Sequence, residues 1–199
     1  PVREGESLNF DLNTPAYREE FLVLKNKYQQ EIQLLWGVEL GLQNHIYPTL
    51  HNYIQENPFD FVIASSHLCG SEDPYYPEYF ENKNEDDVYT LYFSSILENV
   101  RNFSDYDVYG HLDYIVRYGP NKDARYSYKK YRDIFDAILK KIIENGKGIE
   151  VNTGGIKYGL KNLHPTTDIL KRYKELGGEI ITIGSDAHKP ENLLHHFSR

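Results

Sequence analysis

Eight side chains able to bind a cation or handle a proton recur just beyond short apolar runs. Glu39 stands in the stretch GVELG, His67 in ASSHL, His111 and Asp113 in YGHLDY, Glu150 and Asn152 in EVNTGG, and Asp186 and His188 in GSDAH. Each has a plain reading when taken alone: a salt bridge for Glu39, a hydrogen-bonded bystander for His67 or His111. Together they form a mixed nitrogen and oxygen donor set suited to Zn²⁺, Fe²⁺ or Mn²⁺ rather than to an all-oxygen Ca²⁺ cage. A carboxylate such as Glu39 has two oxygens with which to bridge two ions. Paired ions activate water while neutralising a phosphoryl or acyl oxygen, so hydrolysis is the reaction class indicated.

Cations near these groups matter for an anionic substrate. Arg117 follows His111 by six residues in HLDYIVRYGP, and a guanidinium matches phosphate oxygens in pairs; the alternative is a surface arginine paired with an acid. Asn152 and, as weaker cations of the same kind as Arg117, Lys157 in NTGGIKYG and Lys189 complete the substrate-binding candidates. Gly154 and Gly155 let backbone approach a ligand, but the P-loop ending G-K-[ST] is missing. Cys69, beside His67, reads as a small packed residue. His45 and His51 read as loop and helix-surface residues, His164 before Pro165 as a polar loop residue, and His195 and His196 receive no role.

Residues so far apart meet only if regular elements carry them. Helical periodicity and caps predict helices over 14–30, with Thr14 capping and Pro15 first, and over 48–56, 86–102, 127–145 and 167–176. In the fourth, Ile134, Ile138, Leu139 and Ile142 recur at helical spacing and Gly146 stops the run. Strands are predicted over 34–38, 59–64, 108–110, 148–151 and 179–183. The alternation points to an α/β fold with a parallel sheet. In such folds the C-terminal strand ends converge on one face, where a site is assembled from several strands.

The chain has 199 residues, enough for one domain spanning 1–199, with the ligand-bearing part from about 34 to 190. Its 22 Lys and Arg against 30 Asp and Glu give a net charge of −8, which disfavours nucleic acid and anionic membrane and leaves a small solute as partner. The one cysteine cannot form an internal disulfide, and no apolar run spans a bilayer, so a soluble cytoplasmic protein is expected. No methionine is present, PVREGESLNF suggests no first element and ENLLHHFSR begins a helical pattern without completing it, so a fragment is expected. Oligomeric state has no signature.

In order, the motifs G-V-E-L-G, S-x-H, G-H-x-D, E-V-N and G-S-D-A-H resemble the PHP superfamily, named for polymerase and histidinol phosphatase. YGHLDYIVRYGP and GGEIITIGSDAHKPE are similar to its bacterial histidinol-phosphatases. The resemblance covers nearly the whole chain from about Leu34 onward. It implies a distorted (β/α)7 TIM-like barrel of the PHP type, incomplete here at the N-terminus. It also implies a centre of two or three divalent ions and hydrolysis of L-histidinol phosphate to L-histidinol and phosphate, a late step of histidine biosynthesis. Carried over, Glu39 bridges two metals, His67 and His111 complete the ligands of one, Asp186 binds a second and His188 a third. Arg117 then clamps phosphate, and Asp113 orients His111 from behind.

The family opens with an H-x-H strand and further histidines, whereas no histidine precedes Glu39 here. The chain as given is therefore expected to hold fewer ions and to be poorly active until that strand is restored. Two alternatives stand beside this reading. One is a PHP phosphoesterase of another substrate, including an exonuclease, which the acidic balance disfavours; the other is a non-catalytic metal-binding remnant.

Overall fold

Asn13, not Thr14, caps the first helix in the computed structural model of the protein, which describes residues 12–70 and 72–197. Its side chain accepts the Ala16 amide, while the Thr14 hydroxyl lies 2.7 Å from that of Tyr53. Helix α1 runs over Thr14–Tyr28 and strand β1 over Gly37–Gly41. Helix α2, Tyr47–Glu56, leads to β2, Phe61–Ser65, and α3, Glu85–Asn102, to β3, Val108–Tyr109. Asn84 caps α3 by accepting two amides, and Glu85, Asp86 and Asp87 stabilise its first turn against the helix dipole. The predicted 127–145 helix splits into a 3₁₀ turn, Tyr128–Tyr131, and α4, Arg132–Glu144. Strand β4, Gly148–Asn152, is followed by a short α5, Gly154–Lys157, that the sequence did not suggest. Helix α6, Thr167–Glu175, then leads to β5, Ile181–Gly184.

The first strand begins three residues later than expected, at Gly37 rather than Leu34. Its apolar prelude is spent otherwise: Trp36 is buried with its ring 4.2 Å from Phe59, and Leu35 is exposed. Glu39 therefore sits inside the strand, opposite Ile63, not beyond its end. The opening stretch 1–10 and the last two residues, to which the expectation of a fragment refers in part, lie outside the described residues.

All five strands are parallel and in sequential order, β1-β2-β3-β4-β5. Residues in register share a face, and alternate residues take opposite faces. Leu40, Ala64, Tyr109 and Ile149 are in register and all buried, forming the side on which helices pack. Helices α3 and α4 cover that side through Tyr92, Phe93, Ile96, Phe135, Ile138 and Ile142, each fully buried. Burial of each such side chain is worth roughly 1.5–3 kcal/mol. The opposite face carries Glu39, Glu150 and Asn152 together with Gly110 and Gly184. Apolar packing on one side thus leaves polar chemistry concentrated on the other. Among the described residues no helix is long and apolar enough to cross a membrane.

Candidate metal centre

Glu39 projects from β1 toward two imidazoles carried by the loops that follow β2 and β3. Its Oε1 lies 3.2 Å from His111 Nε2 and 3.4 Å from His67 Nε2. One ligating atom from each of the three residues falls within 4.8 Å of the others. His111 is buried and His67 partly so, whereas the Glu39 side chain is 39% accessible, leaving an approach from solvent. The rings stand 5.1 Å apart, with Tyr114 edge-on to His67 at 4.9 Å. Ser65 at the end of β2 lies 3.4 Å from His67 Nδ1.

The electrostatics of this group are mutually set. Burial works to raise the Glu39 carboxyl, but the hydrogen bond and charge of His111, helped by His67, outweigh it and take the pKa down to about 2. Burial, and then the charge of His111, lowers His67 to about 4. Burial also opposes charge on His111, yet its bond to Glu39 and the Glu39 and Glu150 charges carry it upward. An ionised carboxylate converging with a neutral imidazole and a second, buried one is a donor set that fits a divalent cation. The N/O composition and the close approach of the three ligating atoms carry that judgement.

Asp186 and His188, two and four residues beyond β5, do not join the three-residue group. Asp186 Oδ2 accepts from Arg117 Nη1 at 3.2 Å, and His188 Nε2 lies 3.4 Å from Asp186 Oδ1. His188 is 80% exposed. Arg117 is buried, its guanidinium 4.0 Å from the Tyr114 ring and 4.4 Å from that of Tyr158. Its Nε and Nη2 have no hydrogen-bond partner among the described residues. A buried guanidinium with donors to spare, beside a carboxylate, is suited to an anion.

Asp113 and Asn152 are engaged by other partners than their expected roles require. Asp113 turns away from His111: Oδ1 lies 2.5 Å from His164 Nδ1 and Oδ2 accepts the Thr166 amide, while His111 Nδ1 has no partner. Both ends of the buried Asn152 amide are engaged internally, with Glu150 and with the Gly154 amide. Lys157 is exposed at the end of α5. His164, read from sequence as a loop residue, is 1% exposed and forms a backbone bridge with Asn152. No local pattern announces that burial, because the bridge and Asp113 both come from distant parts of the chain.

A parallel α/β domain with a carboxylate and two imidazoles that could hold a cation near its strand ends is the class these features define. Residues 10–154 match the PHP domain family. The chain belongs to that family. It is 34% identical over 195 residues to the histidinol-phosphatase of Lactococcus lactis, covering 96% of this chain and 72% of that protein. Identity to the probable histidinol-phosphatase of Clostridium acetobutylicum is 34% over 197 residues, covering 95% and 76%. The crystal structure of histidinol phosphate phosphatase from Lactococcus lactis, complexed with zinc, L-histidinol and phosphate, matches with a TM-score of 0.82 at 33% identity. That match covers 92% of this chain and 69% of that one. A putative histidinol phosphatase from Listeria monocytogenes shares the fold, with a TM-score of 0.82 at 16% identity over 94% of this chain and 75% of its own.

Proposed function

We propose that the protein is a metal-dependent phosphomonoester hydrolase that converts L-histidinol phosphate and water to L-histidinol and phosphate in histidine biosynthesis. The observation that carries this reading is the convergence of Glu39, His67 and His111 within 4.8 Å in a chain 34% identical to histidinol-phosphatases. Sequential parallel strands, with the polar groups gathered on one face, support a distorted (β/α)7 barrel of the PHP type and a single domain over 1–199. The substrate is a small phosphate ester, and cytoplasmic placement follows from that pathway.

Glu39, His67 and His111 would hold one divalent ion, Zn²⁺, Fe²⁺ or Mn²⁺, and the second oxygen of Glu39 is available to another. Asp186 and His188 would supply ligands for further ions. Such ions, when bound, lend Lewis acidity that activates water and neutralises phosphoryl charge. Arg117 binds the phosphate through its unpartnered Nε and Nη2, held in plane by Tyr114 and Tyr158. Asp186, paired to Nη1, keeps the guanidinium aimed at the site. Asn152 acts by shaping the Gly154 turn beside Asp186, and Lys157, exposed at the end of α5, adds positive charge.

Phosphate release from L-histidinol phosphate tests this with the full-length protein loaded with zinc, manganese or iron. Other phosphomonoesters and an oligonucleotide with a free 3′ end serve as competing substrates. Preference for histidinol phosphate is the expected result. Preference for another ester would reassign the substrate, and bound metal without hydrolysis of any ester would make the site a binding module.

A further inference from the structure

Glu150 is a buried carboxylate that joins neither the cation-binding group nor the phosphate-binding one. It lies on β4, on the same face of the sheet as Glu39, and is 6% exposed. Its Oε2 accepts the backbone N–H of His111 at 3.3 Å and the Asn152 side-chain amide at 3.2 Å. The His111 backbone that it holds has a φ of 25°, a conformation that costs a residue with a side chain of order 1 kcal/mol. Space for the carboxylate is made by two glycines, Gly184 at the end of β5 and Gly110 just past β3. A Cβ at Gly184 would stand 2.0 Å from Glu150 Oε1, and one at Gly110 would stand 3.3 Å from Oε2. The seat of this one group is therefore flanked by two positions without side chains, although a Cβ at Gly110 would also stand 3.0 Å from the Ile63 side chain.

Burial raises the pKa of Glu150, and the charge of Glu39 adds to that cost against the opposing His111 and Asn152 contacts. A buried acid is retained against such a cost where its hydrogen bonds fix a geometry. We propose that Glu150 is the positioning residue for His111: by accepting its amide it maintains the left-handed backbone turn that aims the imidazole Nε2 at Glu39 and the cation. It acts on metal affinity through His111 and touches no reacting atom. This inference rests on the metal centre described above.

Zinc titration against a chromogenic chelator, with metal-free thermal unfolding measured in parallel, tests the assignment on the full-length protein. Glu150→Ala is expected to weaken zinc binding about tenfold or more, the usual cost of losing a group that orients a ligand. Glu150→Gln, which keeps an acceptor oxygen, should recover much of that affinity. Gly184→Ala, which keeps the Glu150 residue but displaces its carboxylate from the seat, should weaken zinc binding in the same direction. In a His111→Ala background Glu150→Ala should have little further effect, because its influence passes through that ring. Wild-type zinc affinity in folded Glu150→Ala or Gly184→Ala protein, or full additivity with His111→Ala, would overturn the proposal. Absence of zinc binding by the wild-type protein would instead overturn the metal centre itself.

Discussion

Arg117 reaches Asp186 across 69 residues of sequence, with Nη1 3.2 Å from Oδ2, and joins the loop after β3 to the loop after β5. The guanidinium is almost wholly buried between two tyrosine rings, and two of its nitrogens remain unpartnered. One contact thus aligns a carboxylate suited to a cation with a cation suited to an anion.

Removing that guanidinium should cost catalysis more than stability. For Arg117→Ala, kcat/KM for histidinol phosphate is expected to fall by about 10²–10³, the scale for losing one preorganised donor at a developing charge. Arg117→Lys should recover little, since an ammonium neither stacks between the rings nor offers a planar fork. Steady-state phosphate release measures both, and an unchanged kcat/KM in Arg117→Ala would remove Arg117 from the site.

Ligand substitution should separate metal binding from folding. Glu39 and His67 are partly accessible, so Glu39→Gln and His67→Ala are expected to lower zinc affinity at least tenfold with little change in the metal-free Tm. Calorimetric zinc titration and thermal unfolding decide the matter. Equal zinc affinity in the Glu39→Gln variant would mean that the cation, if bound, sits elsewhere.

The Asp113–His164 pair should behave as a stability element. Both side chains are 1% exposed and lie 2.5 Å apart. Burial lowers the His164 pKa and keeps the imidazole neutral, so Asp113→Ala is expected to destabilise by about 1–3 kcal/mol, by leaving the buried ring and the Thr166 amide without their partner. Combining it with His164→Ala should cost less than the sum of the single changes. Urea unfolding gives these values, and simple additivity would show that the two groups act independently.

Acid sensitivity should be traceable to Asp136. The carboxylate of α4 accepts Nε and Nη2 of Arg172 in α6 at 2.9 and 2.7 Å, and Tyr128 Oη at 2.6 Å. Its pKa is lowered chiefly by the Arg172 hydrogen bonds, against burial, with Tyr128 assisting. A carboxyl depressed in the folded state contributes stability above its unfolded pKa of about 4, and that contribution disappears as pH falls through the folded value. Wild type should therefore exceed Asp136→Asn in stability at pH 7, and the gap should narrow at about pH 3. A gap of the same size at both pH values would exclude this linkage.

The helices were largely legible because their signals are local. Ile138, Leu139 and Ile142 at helical spacing and Gly146 after α4 mark a face and an end without reference to the rest of the chain, whereas the Asn84 cap came only from the structure. Strand bounds were less so. The apolar LLW run looked like strand, yet Trp36 packs against Phe59 and the ladder starts at Gly37. Hydrophobicity marks burial, and burial by a side-chain cluster reads the same as burial within a sheet.

By itself the sequence determined the inventory: which residues can ligate, their order at successive strands, and hence a parallel α/β fold and a PHP resemblance. Only the tertiary structure decided who meets whom. It brought Glu39, His67 and His111 together, set Asp186 against Arg117, and sent Asp113 to His164 rather than to His111. The reason is physical: residue type and periodicity act over a few neighbours, whereas these distances depend on strand register and on loop backbones such as the φ of 25° at His111. A shift of one residue in register would reverse the face of every side chain in a strand, and nothing in the composition of a loop specifies that alignment.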